Sequence, residues 1–251
     1  MKLYLGSRTY RPEGFLSVDI DAAHEPDIVA DITDLQLVED GSVEEIFASH
    51  VLEHLPWPLA FRALGEWTRV LQMGGIIRIG VPDVGMLASM IVRGINVWRA
   101  LGMVYGLGRL QNHFEAHQFG YTSHTLLLVL RSLGFAEFDW WEDSTPGAQN
   151  GWMLGDDGER IAISLNVRAT RMGPPLYDVP AFAAFLMKNI DTPFDRALAN
   201  HVSSADYSRL VAESDPMFLQ RIHYRMIEYR QRAIYLEGLV RDLEAKLAGQ
   251  S

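Results

Sequence analysis

The chain contains 251 residues, 48% of them hydrophobic and 22% charged, a balance typical of a globular protein and not of a disordered one. Its formal net charge of −10 disfavours a nucleic-acid substrate, because an acidic surface repels phosphate groups. The absence of cysteine excludes disulfide bonds and thiolate metal sites, and it fits a reducing compartment.

The N-terminal sequence MKLYLGSRTY contains too short an apolar run for a signal peptide. No window of the sequence approaches the roughly 18 consecutive apolar residues that a membrane-spanning helix needs. We therefore expect a soluble, cytoplasmic protein without a membrane span.

Five short apolar runs in the first part of the chain are predicted to form strands. They are KLYLG, FLSVDI, DIVADI, VEEIFASH and IIRIGVP. Between the last two, apolar residues recur at helical spacing, and the glycines of QMGG are expected to end that helix. The positions of this apolar stripe are Ala60, Ala63, Leu64, Trp67, Val70 and Leu71. Strand-like runs that alternate with helices predict a buried parallel sheet covered on both faces.

The segment after the fifth run is predicted to be helical first and then to complete the sheet. Residues 84–112 are apolar and spotted with glycine, which predicts a helical cover over the sheet edge. TSHTLLLVLRSLGF predicts a helix that begins at Thr122 or Ser123 and ends at Gly134. AEFDWW and ERIAISLNVRATR predict two final antiparallel strands, joined through a hairpin turn in GWMLGDDGER. The expected sheet has about seven strands.

A proline-containing linker, MGPPLYDVP, precedes a helical C-terminal part. Apolar or aromatic residues there occupy both core positions of a heptad repeat, which predicts a coiled coil. These positions are Ile222, Tyr229, Leu236 and Leu243, together with Met226, Ala233, Val240 and Leu247. We therefore divide the chain into an α/β domain at 1–172, a linker and helical region at 173–220 and a coiled-coil helix at 221–248. The seam predicts a homo-oligomer or a partner protein bound through 222–247; a helix that packs on its own domain is the alternative.

Polar residues and glycines cluster where the predicted strands end. They are Gly6 and Ser7 after the first strand, Asp19 and Asp21 after the second, Asp31 after the third, Ser49 and His50 after the fourth, and Asp83 after the fifth. Ligands of open parallel sheets bind outside the carboxyl ends of the strands. A glycine after the first strand lets a ligand approach the backbone, and an acid after the second accepts the hydroxyl protons of a ribose. One such acid often only caps a turn, whereas a series on one edge is typical of a ligand site.

These segments resemble class I S-adenosylmethionine-dependent methyltransferases, in particular the small predicted bacterial methyltransferases often linked to surface-glycan synthesis. The resemblance spans Lys2 to Thr170, and EEIFASHVLEHL followed by RVLQMGGIIRIGVPD is its most specific part. It implies an α/β fold with a doubly wound, seven-stranded, Rossmann-like methyltransferase sheet, followed here by a helical C-terminal extension that ends in a coiled coil. It also implies S-adenosyl-L-methionine as the cofactor and O-methylation of a sugar, a glycan or another small acceptor.

The resemblance implies a role for each residue at the carboxyl edge. The cofactor-binding candidates are Gly6 and Ser7 at the methionine part, Asp19 and then Asp21 at the ribose hydroxyls, Asp31 and Ile32 at the adenine, and Ser49 and His50 between the cofactor and the substrate entrance. One position departs from the family pattern, because Arg8 stands where the first loop usually has a second glycine. Its side chain must turn outward or fill part of the pocket. The alternative to an active enzyme is a catalytically degenerate fold that serves as a scaffold or regulator and assembles through its coiled coil.

Methyl transfer to a hydroxyl requires a positioned acceptor and a base that removes its proton. Histidine is the natural base near neutral pH. His50 is the first catalytic candidate, followed by His117 and His113 in QNHFEAHQFGY, and Tyr121 is a candidate for lining the acceptor site. For each of them, a purely structural role in the local fold is the competing interpretation.

His50, Glu53 and His54 also spell H-x-x-E-H, the inverted zinc-protease motif. In that motif the ligands lie on one helix, whereas EEIFAS predicts a strand up to His50. Pro56 and Pro58 leave little room for a helix after His54. We therefore assign no metal ligand and interpret Glu53 and His54 as mainly structural.

Overall fold

The computed structural model describes residues 1–106, 116–141, 152–154, 160–213 and 239–240. The strands of this part of the chain are β1 (Lys2–Leu5), β2 (Leu16–Asp19), β3 (Ile28–Val29), β4 (Val43–Ser49), β5 (Leu71–Pro82), β6 (Phe135–Trp140), β7 (Trp152–Leu154), β8 (Arg160–Ala162) and β9 (Ser164–Arg171). The α-helices are α1 (Trp57–Val70), α2 (Val84–Val92), α3 (Val97–Tyr105), α4 (Ser123–Ser132), α5 (Val179–Lys188), α6 (Phe194–Ala199) and α7 (Ser204–Glu213). Two 3-10 helices cover Ala22–His24 and Leu52–His54.

Seven strands form one mixed sheet in the order β3-β2-β1-β4-β5-β9-β6. Strands β1 to β5 pair in parallel, and β9 is antiparallel to both of its neighbours, β5 and β6. The predicted Rossmann-like sheet, its strand number and its antiparallel final pair are therefore confirmed. The strand order reverses between β1 and β4, and this is the place where such sheets bind ligands.

One face of the sheet is covered by helices. Its strands contribute residues such as Leu3, Ile46 and Ile77, which are fully buried and belong to the main hydrophobic core. Helices α1, α4 and α5 supply the other side of that core, in which Phe61 and Phe182 contact each other edge to face. The C-terminal helical region therefore shares its core with the sheet.

The opposite face of the sheet is covered by aromatic side chains and one arginine. Phe47, on β4, contacts the rings of Tyr4, Phe15 and Trp141. The guanidinium carbon of Arg78 lies 4.5 Å from the centroid of Phe47. We expected helices on both faces, but residues 6–15, which join β1 to β2, contain no helix, and residues 20–27 contain only a 3-10 turn. Loops this short leave no room for the helices that usually cover this part of the sheet.

Two other expectations were wrong in detail. Helix α1 ends at Val70, and β5 begins at Leu71, ahead of the glycines in QMGG. Leu71 pairs with Val43 and so extends the sheet, and a bulge in this pairing accommodates Gly74 at φ +77°. The segment predicted as a hairpin turn contributes instead to a separate two-stranded sheet of β7 and β8, which is distinct from β9.

The predicted start of the helix at TSHTLLLVLRS is confirmed. Thr122 caps α4 and forms a capping box with Thr125. The predicted helical cover is also present as α2 and α3, although residues 107–112 lie outside the described chain. The coiled-coil segment 222–247 lies outside the described residues as well, apart from 239–240. In the described part of the chain, no helix has the length and apolarity to cross a membrane.

Candidate functional site

The first loop at the carboxyl edge depends on a glycine. Gly6 has φ +66°, and a Cβ atom there would overlap the side chain of Val51, which follows β4. The backbone N–H groups of Gly6 and Ser7 both donate to Val18 O, at 2.9 and 3.2 Å. The loop therefore lies flat against β2, with Ser7 buried beneath it. A side chain at position 6 is excluded by both backbone conformation and space.

Arg8 keeps the backbone shape that a glycine would have there. Its φ is +44°, which is in the left-handed region that L-residues rarely adopt. Its backbone N–H donates to Asp19 Oδ2 at 2.7 Å, and this hydrogen bond compensates for the unfavourable dihedral. The residue itself is exposed, so its side chain lies at the surface of the protein. Arg8 therefore adds a side chain at the surface, but its backbone keeps a conformation that a glycine would adopt.

Asp19 is the buried acid at the carboxyl end of β2. It is only 6% exposed, and its carboxylate accepts the N–H groups of Arg8 and Asp21. Burial alone would raise its pKa, but these backbone hydrogen bonds and His24 together lower the pKa below its usual range. Asp19 is therefore a carboxylate held in one orientation, with acceptor positions left on both oxygens.

The other sequence-predicted acids lie around Asp19 in less buried positions. Asp21 is exposed and caps the short 3-10 helix after β2. Asp31 is exposed and accepts the N–H of Thr33 at 2.8 Å. Ile32 is buried in the main core, and its carbonyl accepts the indole N–H of Trp67. The backbone N–H of Ala30 donates to Asp19 O, which brings the β3 end beside the β2 end.

Arg11 holds these loops together, and sequence reasoning missed it. Its guanidinium donates to the carbonyl oxygens of Arg8 and Tyr10 in the first loop. It also donates to the carbonyl oxygens of His24 and Glu25, which follow β2. The side chain of Arg11 thus links the loop after β1 to the loop after β2, neither of which contains an α-helix. An arginine between two predicted strands gives no pattern that would reveal this role.

His50 and Glu53 form a side-chain pair in the segment that follows β4. His50 Nδ1 lies 3.1 Å from Glu53 Oε1, and Glu53 is 1% exposed. Burial raises the pKa of Glu53, but the hydrogen bond from His50 and the charges of His50 and His54 bring it below its usual range. Because a carboxylate can only accept, Nδ1 carries the proton and Nε2 is the basic nitrogen of the neutral ring.

The backbone and neighbours of His50 fix where that nitrogen points. His50 has φ +53°, and its N–H donates to Gly80 O at 2.8 Å. Nε2 lies 3.4 Å from Ser164 Oγ, at the start of β9. Ser49 lies on the face that carries Gly80, where a Cβ atom would meet Ser49 Oγ and Asn166 Oδ1. Ser164 and Asn166 enter the site only because β9 runs antiparallel and begins at the carboxyl edge.

His117 reaches the same region from a distant part of the chain. Its ring lies 5.0 Å from the ring of His54, measured between centroids. Burial lowers the pKa of His117, although the charge of Glu53 acts in the opposite direction. Tyr121, another predicted lining residue, is 1% exposed. His113 lies outside the described residues.

The H-x-x-E-H residues do not share a regular α-helix. Only one 3-10 turn, Leu52–His54, follows β4, and His50 precedes it in a left-handed backbone conformation. The arrangement therefore lacks the helix on which the inverted zinc-protease motif depends, as the sequence context indicated.

The chain is similar to one protein family and to several solved structures. A family model described as a methyltransferase domain matches residues 11–79. The fold is similar to that of a SAM-dependent methyltransferase from Archaeoglobus fulgidus, at 17% identity and TM-score 0.46, over 67% of this chain and 85% of that chain. It is similar to a SAM-dependent methyltransferase from Methanosarcina mazei, at 16% identity and TM-score 0.43, over 68% and 92%.

A third solved structure is 1,6-didemethyltoxoflavin-N1-methyltransferase from Burkholderia thailandensis, which contains S-adenosylhomocysteine. Its identity is 15% and its TM-score 0.43, over 68% of this chain and 71% of that chain. A search of curated proteins by sequence gave no match. The sheet of this chain is Rossmann-like, and residues 11–79 match a methyltransferase domain.

The residues at the edge fit S-adenosylmethionine, the cofactor that the sequence resemblance implies. Asp19, Asp21 and Asp31 lie at two adjacent strand ends, and their negative charge suits a sulfonium cation. Asp19 has acceptor positions left for the two hydroxyl groups of a ribose. The loop at Gly6 presents backbone without a side chain, and the rim residue Arg8 is exposed.

Proposed function

We propose that this chain is an S-adenosylmethionine-dependent methyltransferase that methylates a hydroxyl group of a small acceptor, with His50 as the general base. The observation that carries the proposal is the His50–Glu53 pair at the switch point of the sheet. The bound cofactor supplies an activated methyl group on a cationic sulfur. The chain supplies orientation and a proton acceptor, which is what a hydroxyl acceptor needs.

Glu53 is the positioning residue in this proposal. It accepts the Nδ1 proton of His50 and thereby leaves Nε2 unprotonated on the side of Ser164. A buried carboxylate is costly unless it is hydrogen-bonded, and this pair compensates for part of that cost. The acceptor class is inferred from the base: a hydroxyl must lose its proton, whereas a thiolate arrives already ionised. Sugars and glycans are the acceptors that the sequence resemblance favours.

Cofactor binding tests the first half of the proposal. Isothermal titration of the full chain with S-adenosylmethionine is expected to give one site. Asp19→Ala is expected to raise the Kd of S-adenosylmethionine at least tenfold, because the ribose hydroxyls lose their acceptor. A tenfold change corresponds to about 1.4 kcal/mol of binding free energy. Glu13→Ala, an exposed acid on the first loop, is the matched control. Absence of binding by the native chain would favour the scaffold or regulatory alternative.

Methyl transfer tests the second half. Transfer of a labelled methyl group to a panel of sugars and nucleotide sugars identifies an acceptor. His50→Ala is expected to lower kcat by about 10²–10⁴-fold, the usual contribution of a general base, without changing the Kd of the cofactor. Glu53→Gln is expected to lower kcat less and to leave KM unchanged. Full activity in His50→Ala would refute its role as the base.

A further inference from the structure

A second cluster of ligating side chains lies beside the His50–Glu53 pair. Glu53, His54 and His117 each offer one ligand atom, and the three atoms lie within 4.8 Å of one another. Glu53 is buried, and both histidines are half-buried. The sequence separates His117 from the other two by more than sixty residues, so the cluster exists only in the folded chain.

Backbone hydrogen bonds hold the two segments of the cluster together. The N–H groups of Gln118 and Phe119 both donate to Glu53 O, at 2.7 and 3.2 Å. The N–H of His117 donates to Tyr105 O at the end of α3. The three side chains are therefore presented by two segments that are tied to each other and to a helix, so little order has to be created when a ligand binds.

The ring of His54 is oriented as those of metal-bound histidines usually are. His54 Nδ1 donates to Ala116 O at 3.2 Å, which leaves Nε2 as a lone-pair donor. A hydrogen bond from one ring nitrogen to a backbone carbonyl is the usual arrangement that fixes the tautomer of a ligand histidine.

Two buried polar atoms beside the cluster lack a partner among the described residues. They are Glu53 Oε2 and the hydroxyl oxygen of Tyr121. Buried polar atoms in native proteins nearly always have a partner, and the unpaired Oε2 of Glu53 therefore indicates a group bound at the cluster.

We propose that Glu53, His54 and His117 form a binding site for one Zn²⁺-type divalent transition-metal ion. Two imidazoles and one carboxylate are a known zinc set that leaves a coordination position open, whereas Mg²⁺ and Ca²⁺ prefer oxygen ligands. The proposed site differs from the H-x-x-E-H motif, because His50 Nδ1 is engaged by Glu53 Oε1 and the second histidine comes from the segment before α4. The proposal goes beyond methyl transfer and does not depend on it.

The test uses tag-free full-length protein stripped with a chelator. Zn²⁺ is added in competition with a chromophoric chelator at neutral pH, and circular dichroism verifies the fold of each sample. We expect one Zn²⁺ per chain, and we expect excess Mg²⁺ not to displace it. Failure of the native chain to compete with the chelator for any zinc would overturn the proposal without bearing on cofactor binding, which is measured separately.

Single substitutions locate the site. His54→Ala and His117→Ala are each expected to weaken Zn²⁺ binding by at least tenfold, and so is Glu53→Gln, which keeps the side-chain shape. His201→Ala removes a histidine that packs on Phe182 and Phe185 of α5 and does not belong to the cluster; it is the matched control, with unchanged affinity expected. Affinity that is unchanged in both His54→Ala and His117→Ala would place the zinc elsewhere and overturn the assignment.

Discussion

The two halves of the carboxyl edge depend on different kinds of interaction. The half formed by β1, β2 and β3 consists of short loops whose shape depends on backbone hydrogen bonds and on one arginine. The half formed by β4, β5 and β9 consists of buried polar side chains, with Glu53 at its centre. The first half is open at the surface, whereas the second lies beneath residues 116–121, the segment that leads into α4.

In the proposed function, this difference separates cofactor binding from proton transfer. A loop that holds a carboxylate in a fixed orientation suits recognition of a cofactor, because recognition needs no proton transfer. A buried histidine–carboxylate pair suits proton transfer, because its tautomer is fixed by its partner. We therefore expect the first half to fail when its backbone is disturbed and the second to fail when its side-chain chemistry is changed.

The largest expected effect is that of Gly6→Ala. The new Cβ would overlap Val51 and would require a left-handed backbone from an L-residue. We expect the free energy of unfolding to fall by about 2–4 kcal/mol, the sum of the dihedral cost and the cost of overpacking. Urea denaturation of the two proteins at neutral pH measures the difference.

Gly14→Ala separates the two contributions. Gly14 also has a positive φ, +80°, but no atom lies within 4 Å of the position of its Cβ. Only the dihedral cost of about 1–2 kcal/mol is expected there. Equal losses at both glycines would show that the contact with Val51 contributes nothing to the shape of the first loop.

Arg11→Ala is expected to have an intermediate effect. The substitution removes the donors that link the first loop to His24 and Glu25. We expect the free energy of unfolding to fall by about 1–2 kcal/mol, which is less than buried charge-assisted hydrogen bonds would contribute. We also expect weaker binding of S-adenosylmethionine. Arg62→Ala is the control, because Arg62 makes one long exposed ion pair, at 3.7 Å, with Asp34. A cofactor affinity unaffected by Arg11→Ala would refute the link between loop closure and binding.

The smallest expected effect is a pH dependence due to Asp19. Its pKa is lowered below 3.8 in the folded protein, so its contribution to stability is present above pH 3.8. That contribution is lost as the pH falls through the folded-state pKa. The stability difference between the native chain and Asp19→Asn should therefore be constant near pH 6 and shrink below about pH 4. Urea denaturation at a series of pH values measures it, with Glu13→Gln as the control. A difference that grows towards low pH would contradict the assignment.

Much of the fold could be predicted because local patterns determine it. Apolar runs and their glycines located β1, β2, β4 and β5, and Thr122 revealed the start of α4 by its capping pattern. The missing helices after β1 and β2 were not recognised, because the sequence there was interpreted only for its strands. The end of α1 was misplaced, because the pairing of Leu71 with Val43 outweighed the local signal of two glycines.

The residues of the candidate site divide in the same way. Gly6, Asp19 and His50 were found because each follows a strand, and position after a strand is visible in a sequence. Arg11 was not found, because its hydrogen bonds go to backbone carbonyls of a loop that only the sheet brings near. Glu53 was interpreted as mainly structural, because nothing in the sequence distinguishes a buried carboxylate from an exposed one.

By itself, the sequence determined the strands β1, β2, β4 and β5, the start of α4, the acidic strand ends and the single departure at Arg8. These features depend on periodicity and residue type over a few neighbouring positions. Only the tertiary structure decided that Arg8 lies outward, that Glu53 is buried against His50, and that His117 meets His54. Contacts of this kind join residues that are distant in the chain, and their geometry is set by the packing of the sheet and the segments around it.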